Sequence, residues 1–232
     1  LEKIKNKLLQ NQSNVLIYEG FMYKHHPQIK SVLDLVNNNE IGEIKKIVSN
    51  FGINLLTKKY LWFFKKKRKI DKESRLFSKK LGGGSILDLG CYPVSLTTML
   101  LEKLNFINFE EFKVLNKKVE IGETGVDIDS KIEMKVNGKI TIKLSSSFKQ
   151  NIGFATKIHG SRGSIEIINT WTGSPSIILK KENNKNIIRF DQIDDIYFDQ
   201  LNIISNDLLN KSNGQNIDNM LLNMKIIDQW LN

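Results

Sequence analysis

Alternation of apolar and polar residues at period two runs through the second half of the chain. Val126, Ile128, Ile132 and Met134 share one parity, and after Asn137-Gly138 so do Ile140, Ile142 and Leu144. Such alternation builds strands with one buried and one wet face. A two-residue turn at Asn137-Gly138 would set Met134 opposite Thr141 and mix the faces. A three-residue loop of Val136-Asn137-Gly138, with Gly138 left-handed, instead pairs Met134 with Ile140 and Ile132 with Ile142, and is the expected arrangement. Gly160-Ser161-Arg162-Gly163 turns between 152–159 and 164–168, bringing Ile158 opposite Ile165. Residues 176–180 and 186–190 read as a further hairpin around Glu182-Asn183-Asn184. Consecutive hairpins with one apolar face imply an open, mainly antiparallel sheet, whose apolar side helices must cover.

Helical stripes supply the cover. They predict helices over 28–38 (Ile29, Val32, Leu33, Val36), 85–103, 197–210 (Leu201, Ile204, Leu208) and 217–231 (Ile217, Met220, Leu221, Met224, Ile227). Pro27 suits the first turn of the first of these, and Asn37-Asn38-Asn39 with Gly42 stops it. A strand from Ile44 to Leu56 follows, with Ile47, Phe51, Ile53 and Leu55 on one face. Ahead of all this, residues 1–11 read as a helix and Val15-Leu16-Ile17-Tyr18-Glu19 as a short strand, the closing half of an α/β unit. The fold class is therefore α+β: helices on one face of an open sheet, preceded by the closing helix and strand of an α/β unit. Leu1 opens inside a helical stripe and the apolar stripe from Ile217 still runs at Asn232, so the sequence reads as a piece of a longer protein.

Leu81-Gly82-Gly83-Gly84-Ser85-Ile86-Leu87-Asp88-Leu89-Gly90-Cys91-Tyr92-Pro93 is the stretch with chemistry in it. Three glycines let the backbone enter a helix along an unusual path, and Ser85 stands where an N-cap is expected. Asp88 and Tyr92, four positions apart, then share one helical face. Two readings of these residues stand side by side. Ser85-x-x-Asp88 also fits a capping box, and Tyr92 a half-buried packing residue. Pro93 cannot donate to the carbonyl of Leu89, so the helix bends near Gly90.

The 232 residues are 40% hydrophobic and 26% charged, an ordinary globular balance without a long apolar leader. The single cysteine, Cys91, excludes an internal disulfide and suits a reducing, cytoplasmic setting. Three histidines without ligand spacing argue against zinc. The net charge of +10 raises nucleic acid or an anionic ligand as partner. Much of that excess lies in Lys58, Lys59, Lys65, Lys66, Lys67, Arg68, Lys69 and Lys72, around Tyr60, Trp62, Phe63 and Phe64. Interleaved cations and aromatics can stack bases, but a solvated loop with its aromatics tucked under the core is the stronger reading.

Four ordered segments carry a family resemblance. Glu19-Gly20-Phe21-Met22-Tyr23-Lys24-His25-His26-Pro27-Gln28 with Gly42-Glu43-Ile44, then Arg75-Leu76 with the glycine stretch through Ser95, then Ser147-Phe148 with 158–165, and finally Met224-Lys225-Ile226-Ile227-Asp228, resemble the Gfo/Idh/MocA oxidoreductase superfamily. The resemblance implies that residues 1–19 are the last helix and strand of an N-terminal, Rossmann-type dinucleotide-binding domain and 20–232 the substrate and oligomerisation domain, that Tyr92 is the acid/base residue, and that Asp88 orients substrate. It places Tyr23 and Lys24 toward the nicotinamide of NAD or NADP, and Met22, Arg75 and Trp171 in the substrate wall. It implies a carbohydrate, polyol or dihydrodiol substrate, no membrane, and a homo-oligomer through the open sheet face. The G-x-G-x-x-G phosphate turn and the family's Glu-Lys-Pro segment are missing from this sequence, and Gly82-Gly83-Gly84-Ser85 does not replace them. A tyrosine with the ordinary pKa of about 10 needs a neighbouring cation to act as a base near neutrality. A non-catalytic binding or regulatory relative is the alternative.

Overall fold

A computed structural model describes residues 2–10, 15–60, 64–105, 108–182, 184–191, 195–210 and 216–232. The elements run α1 (Glu2–Gln10), α2 (Pro27–Asn37), β1 (Ile44–Gly52), β2 (Thr57–Tyr60), β3 (Phe64–Lys67), a π-helical turn (Ile86–Gly90), α3 (Cys91–Glu102), β4 (Phe112–Ile121), β5 (Asp127–Val136), β6 (Ile140–Ser147), β7 (Thr156–Gly160), β8 (Gly163–Ile167), β9 (Ser176–Lys181), β10 (Asn184–Arg189), α4 (Ile196–Leu209) and α5 (Ile217–Leu231). Eight strands form one sheet in the order β10-β9-β8-β7-β1-β6-β5-β4. All neighbours are antiparallel except β1 and β6.

The inward parity of the strands makes the core. Ile132, Met134, Val136, Ile140, Ile142 and Leu144 from the β5–β6 hairpin are all buried, together with Ile47 of β1, Ile158 of β7 and Ile165 of β8. Buried residues of α2 (Ile29, Val32, Val36), α3 (Leu96, Leu100, Leu101) and α5 (Leu222, Ile226, Trp230) close over that face. The run Lys79–Glu102 is long and apolar enough to cross a membrane, but most of it is buried here as the central core helix. The open face carries ion pairs, Lys143–Glu133 at 2.9 Å and Lys157–Glu166 at 3.0 Å.

Several expectations meet the structure directly. Ile158 stands opposite Ile165, and α5 spans 217–231 as read from its stripe. The β5–β6 loop has three residues, but they are Asn137, Gly138 and Lys139, with Asn137 and Gly138 both left-handed at φ 47° and 65°. Met134 therefore faces Ile142 and Ile132 faces Leu144, two residues away from the expected register. A two-residue shift keeps every side chain on its face, so the pattern could not distinguish the two.

Three expectations are corrected. Residues 15–19 form no strand among the described residues; Tyr18 instead donates to Asp207 of α4 at 2.5 Å, and strands exist only where a neighbour pairs with them. β1 ends at Gly52, so Ile53 and Leu55 are not part of it, and Ile53 is exposed. α4 does not cover the sheet. It lies against the Met22–His25 turn with Leu201 and Leu208 exposed, and none of its residues is buried. Trp62 and Phe63 of the basic aromatic segment, and Asn183 of the last hairpin, lie outside the described residues.

Candidate active site

The helix carrying Asp88 and Tyr92 begins differently from its sequence. Ser85 is already helical (φ −68°, ψ −29°) and makes no side-chain cap. Its hydroxyl donates instead to the carboxylate of Asp127 at 2.6 Å, and the backbone N–H of Ile86 donates to the same oxygen at 2.8 Å. The cap thus comes from β5, 41 residues further along the chain. A carboxylate at a helix N-terminus satisfies an orphan donor and meets the positive end of the dipole. Gly84 makes room for it: at φ +119°, a Cβ there would lie 2.2 Å from Asp127 Oδ1. At Gly83 a Cβ would lie 2.6 Å from the carbonyl oxygen of Leu76. These glycines serve close packing, so they are not available to cradle a phosphate.

The bend expected from Pro93 takes the form of the π turn over Ile86–Gly90, directly ahead of it. Such turns widen the hydrogen-bond ladder and re-aim the side chains around them. Asp88, 18% exposed at its side chain, pairs with Arg75 at 2.8 Å and so does not form the capping box. Tyr92 is half-buried, and its hydroxyl donates to Met22 Sδ at 3.9 Å. Its ring lies among Phe21 (centroids 5.0 Å apart), Phe51 (5.2 Å), Tyr23 (5.8 Å) and Trp171 (5.8 Å). Burial, with lesser contributions from Cys91, Tyr197 and Asp88, pushes the Tyr92 phenol up to about 12, against a lowering influence of Arg75. The neighbouring Cys91 thiol is likewise pushed up to about 12 by burial, which keeps it protonated and unreactive.

Two of the expected wall residues stand behind the site. Tyr23 is fully buried, its hydroxyl shared with Ser95 Oγ at 2.5 Å, and burial holds it well above the usual tyrosine range. Trp171 is fully buried too, and its Nε1 donates to the carbonyl of Asn50 at 2.9 Å. Both were expected to face ligand; both instead form the packed floor beneath Tyr92, because a large ring with one satisfied polar atom gains most by burial. Lys24 has its ammonium on Glu19 at 2.9 Å and 5.0 Å above the Phe21 ring. Asn223 of α5 in turn donates to both Glu19 oxygens, at 3.0 and 2.9 Å. Met22, Asp88, Arg75 and Tyr92 are brought together.

Sequence reasoning missed Asp127, Phe51's role beside Tyr92, and the Glu19–Asn223 clamp on Lys24. Asp127 left a signal: an acid between the apolar Val126 and Ile128 at the start of a strand, all three buried. The glycine triplet offers a dinucleotide no phosphate cradle, since Asp127 and Leu76 occupy the space beside Gly84 and Gly83.

Comparison with known proteins gives a consistent picture. Residues 29–166 match the model of the GFO/IDH/MocA C-terminal domain. A trans-1,2-dihydrobenzene-1,2-diol dehydrogenase of Xenopus tropicalis is 29% identical over 172 residues, which are 74% of this chain and 46% of that protein. A dTDP-3,4-didehydro-2,6-dideoxy-alpha-D-glucose 3-reductase of Saccharopolyspora spinosa is 28% identical over 165 residues, 71% of this chain and 43% of that one. A 3-ketoreductase from Actinomadura kijaniata, solved with NADP and TDP-benzene, shares the fold at a TM-score of 0.76 and 16% identity, over 96% of this chain and 64% of its own. The chain spans under half the length of these two curated relatives.

Proposed function

This chain belongs to the GFO/IDH/MocA C-terminal domain family, whose matched relatives are dehydrogenases and reductases, and we propose that it carries the substrate-binding, proton-transferring part of an NAD(P)-dependent oxidoreductase. The substrate class is a sugar, polyol or dihydrodiol, or the corresponding carbonyl. Residues 1–19 belong to the edge of a dinucleotide-binding domain, and the open sheet face seats a second copy of the chain. The setting is cytoplasmic. Bound NAD(P) would supply or accept the hydride.

The observation that carries this reading is the convergence of Tyr92, Met22 and the Asp88–Arg75 pair on one half-open patch. A phenol held near 12 keeps its proton at neutral pH. It is therefore suited to donate that proton to the oxygen of a carbonyl as it becomes an alkoxide. Asp88, its charge balanced by Arg75, is suited to accept from a substrate hydroxyl, with Met22 in the substrate wall and Lys24 toward the cofactor. Tyr92→Phe in the complete enzyme tests the assignment. Turnover should fall by about 10²–10⁴, the usual worth of a general acid, while cofactor affinity stays unchanged; full turnover would remove Tyr92 from the mechanism. The clamp of Lys24 by Glu19 favours a second reading, a non-catalytic binding module. Absence of turnover on any polyol or ketose panel, with binding retained, would support it.

A further inference from the structure

A cavity of about 400 Å³ lies between the β2–β3 hairpin and the end of the β4–β5 hairpin, apart from Tyr92, Asp88 and Met22. Its apolar lining comes from Leu56, Ile70, Phe77, Ile121 and Ile128. Ile121 is 58% exposed at its mouth. Lys67, Arg68 and Lys149 complete the wall together with Glu123. Lys149 is already neutralised by Glu120, with both carboxylate oxygens at 2.7 and 2.8 Å. Lys67 and Arg68 have no ion-pair partner among the described residues, and both are exposed. Counting Glu120 and Glu123 against the three cations leaves one positive charge at the mouth of an apolar pocket.

A volume of this size suits a drug-sized molecule. From the apolar floor, the single excess charge and the unpaired Lys67 and Arg68, we propose that this cavity is a binding site for a small amphipathic monoanion, an aromatic or alkyl body bearing one sulfonate, carboxylate or phosphoester group. The anionic group pairs with Arg68 and Lys67, and the apolar body rests on Phe77, Ile70 and Ile121. The assignment is independent of the proposed oxidoreductase chemistry.

The test uses the 232-residue chain and anilinonaphthalene sulfonate, followed by its fluorescence. One saturable site is expected in the wild type. Arg68→Glu and Lys67→Glu, both on exposed side chains, should each weaken binding by about tenfold or more, equivalent to about 1.4 kcal/mol. Ile121→Asp should do the same from the apolar side, and phenylnaphthylamine, which lacks the sulfonate, should bind the wild type at least about tenfold more weakly. Melting curves first establish that each variant folds. Unsaturable binding, equal affinity for the uncharged dye, or charge-reversed variants that bind like the wild type would each overturn the assignment.

Discussion

The carboxylate of Asp127 on β5 accepts the backbone N–H of Ile86 at 2.8 Å, so a strand residue caps the helix that carries Asp88 and Tyr92. The start of that helix is thereby tied to the sheet, and the π turn sits directly on the anchor.

Removing this anchor should cost stability. Asp127→Ala leaves the buried Ile86 N–H without its acceptor and Ser85 Oγ with Ser146 Oγ at 3.1 Å as its remaining partner, a loss of about 1–3 kcal/mol. Gly84→Ala should be at least as damaging, because its Cβ would stand 2.2 Å from Asp127 Oδ1 on a backbone with φ +119°. Denaturant melts of the two variants against wild type measure both.

The same residue predicts a pH signature. Burial raises the Asp127 carboxyl above its ordinary value of 3.8. The folded state therefore binds this proton more tightly than the unfolded state, and its contribution is full below 3.8 and lost as pH rises through the raised value. Asp127→Asn keeps an acceptor oxygen for Ile86 but does not ionise. Its stability relative to wild type should increase with pH through that window and then level off; a difference that is flat or runs the other way would contradict the burial argument.

Burial sets the high pKa of Tyr92, and its two charged neighbours should tune it in opposite directions. Asp88 raises its pKa and Arg75 lowers it. Arg75→Ala should therefore push the phenol further up, and Asp88→Asn should bring it down. Tyrosinate absorbance, taken as the difference from Tyr92→Phe, reads the shift. Opposite signs would mean that the three groups do not share a field.

Beneath the site, the fully buried phenol of Tyr23 shares its hydroxyl proton with Ser95 Oγ at 2.5 Å. Ser95→Ala strands the Tyr23 hydroxyl, at a cost of about 1–3 kcal/mol. Adding Tyr23→Phe should return part of that loss, so the double variant should be less destabilised than the sum of the singles. Trp171→Ala, which opens a cavity next to both rings, should cost about 3–5 kcal/mol.

Much of this architecture was legible before any coordinate. Alternation along 126–144 assigned each side chain to its face, and the stripe of α5 matched its span, because both are local consequences of strand and helix periodicity. That Asp88 and Tyr92 lie on one helical stretch was legible for the same reason, whereas the π turn over Ile86–Gly90 was not. The β5–β6 register was not, since a slip of two residues preserves every face.

Other features depend on residues far apart in the chain. β1 enters the sheet between β6 and β7, parallel to one and antiparallel to the other, and no local pattern encodes that choice. Ser85 has the residue type of a cap, yet Asp127 does the capping, because a carboxylate delivered by the folded sheet outcompetes a hydroxyl on the helix itself. Trp171 and Tyr23 carry polar atoms that could have met a ligand; only the packed arrangement supplied Asn50 and Ser95 to satisfy them inside. Periodicity therefore determined which side of each element is buried, and the tertiary structure decided which distant partners meet there, since pairing energy between remote residues exists only once the chain has closed the loop between them.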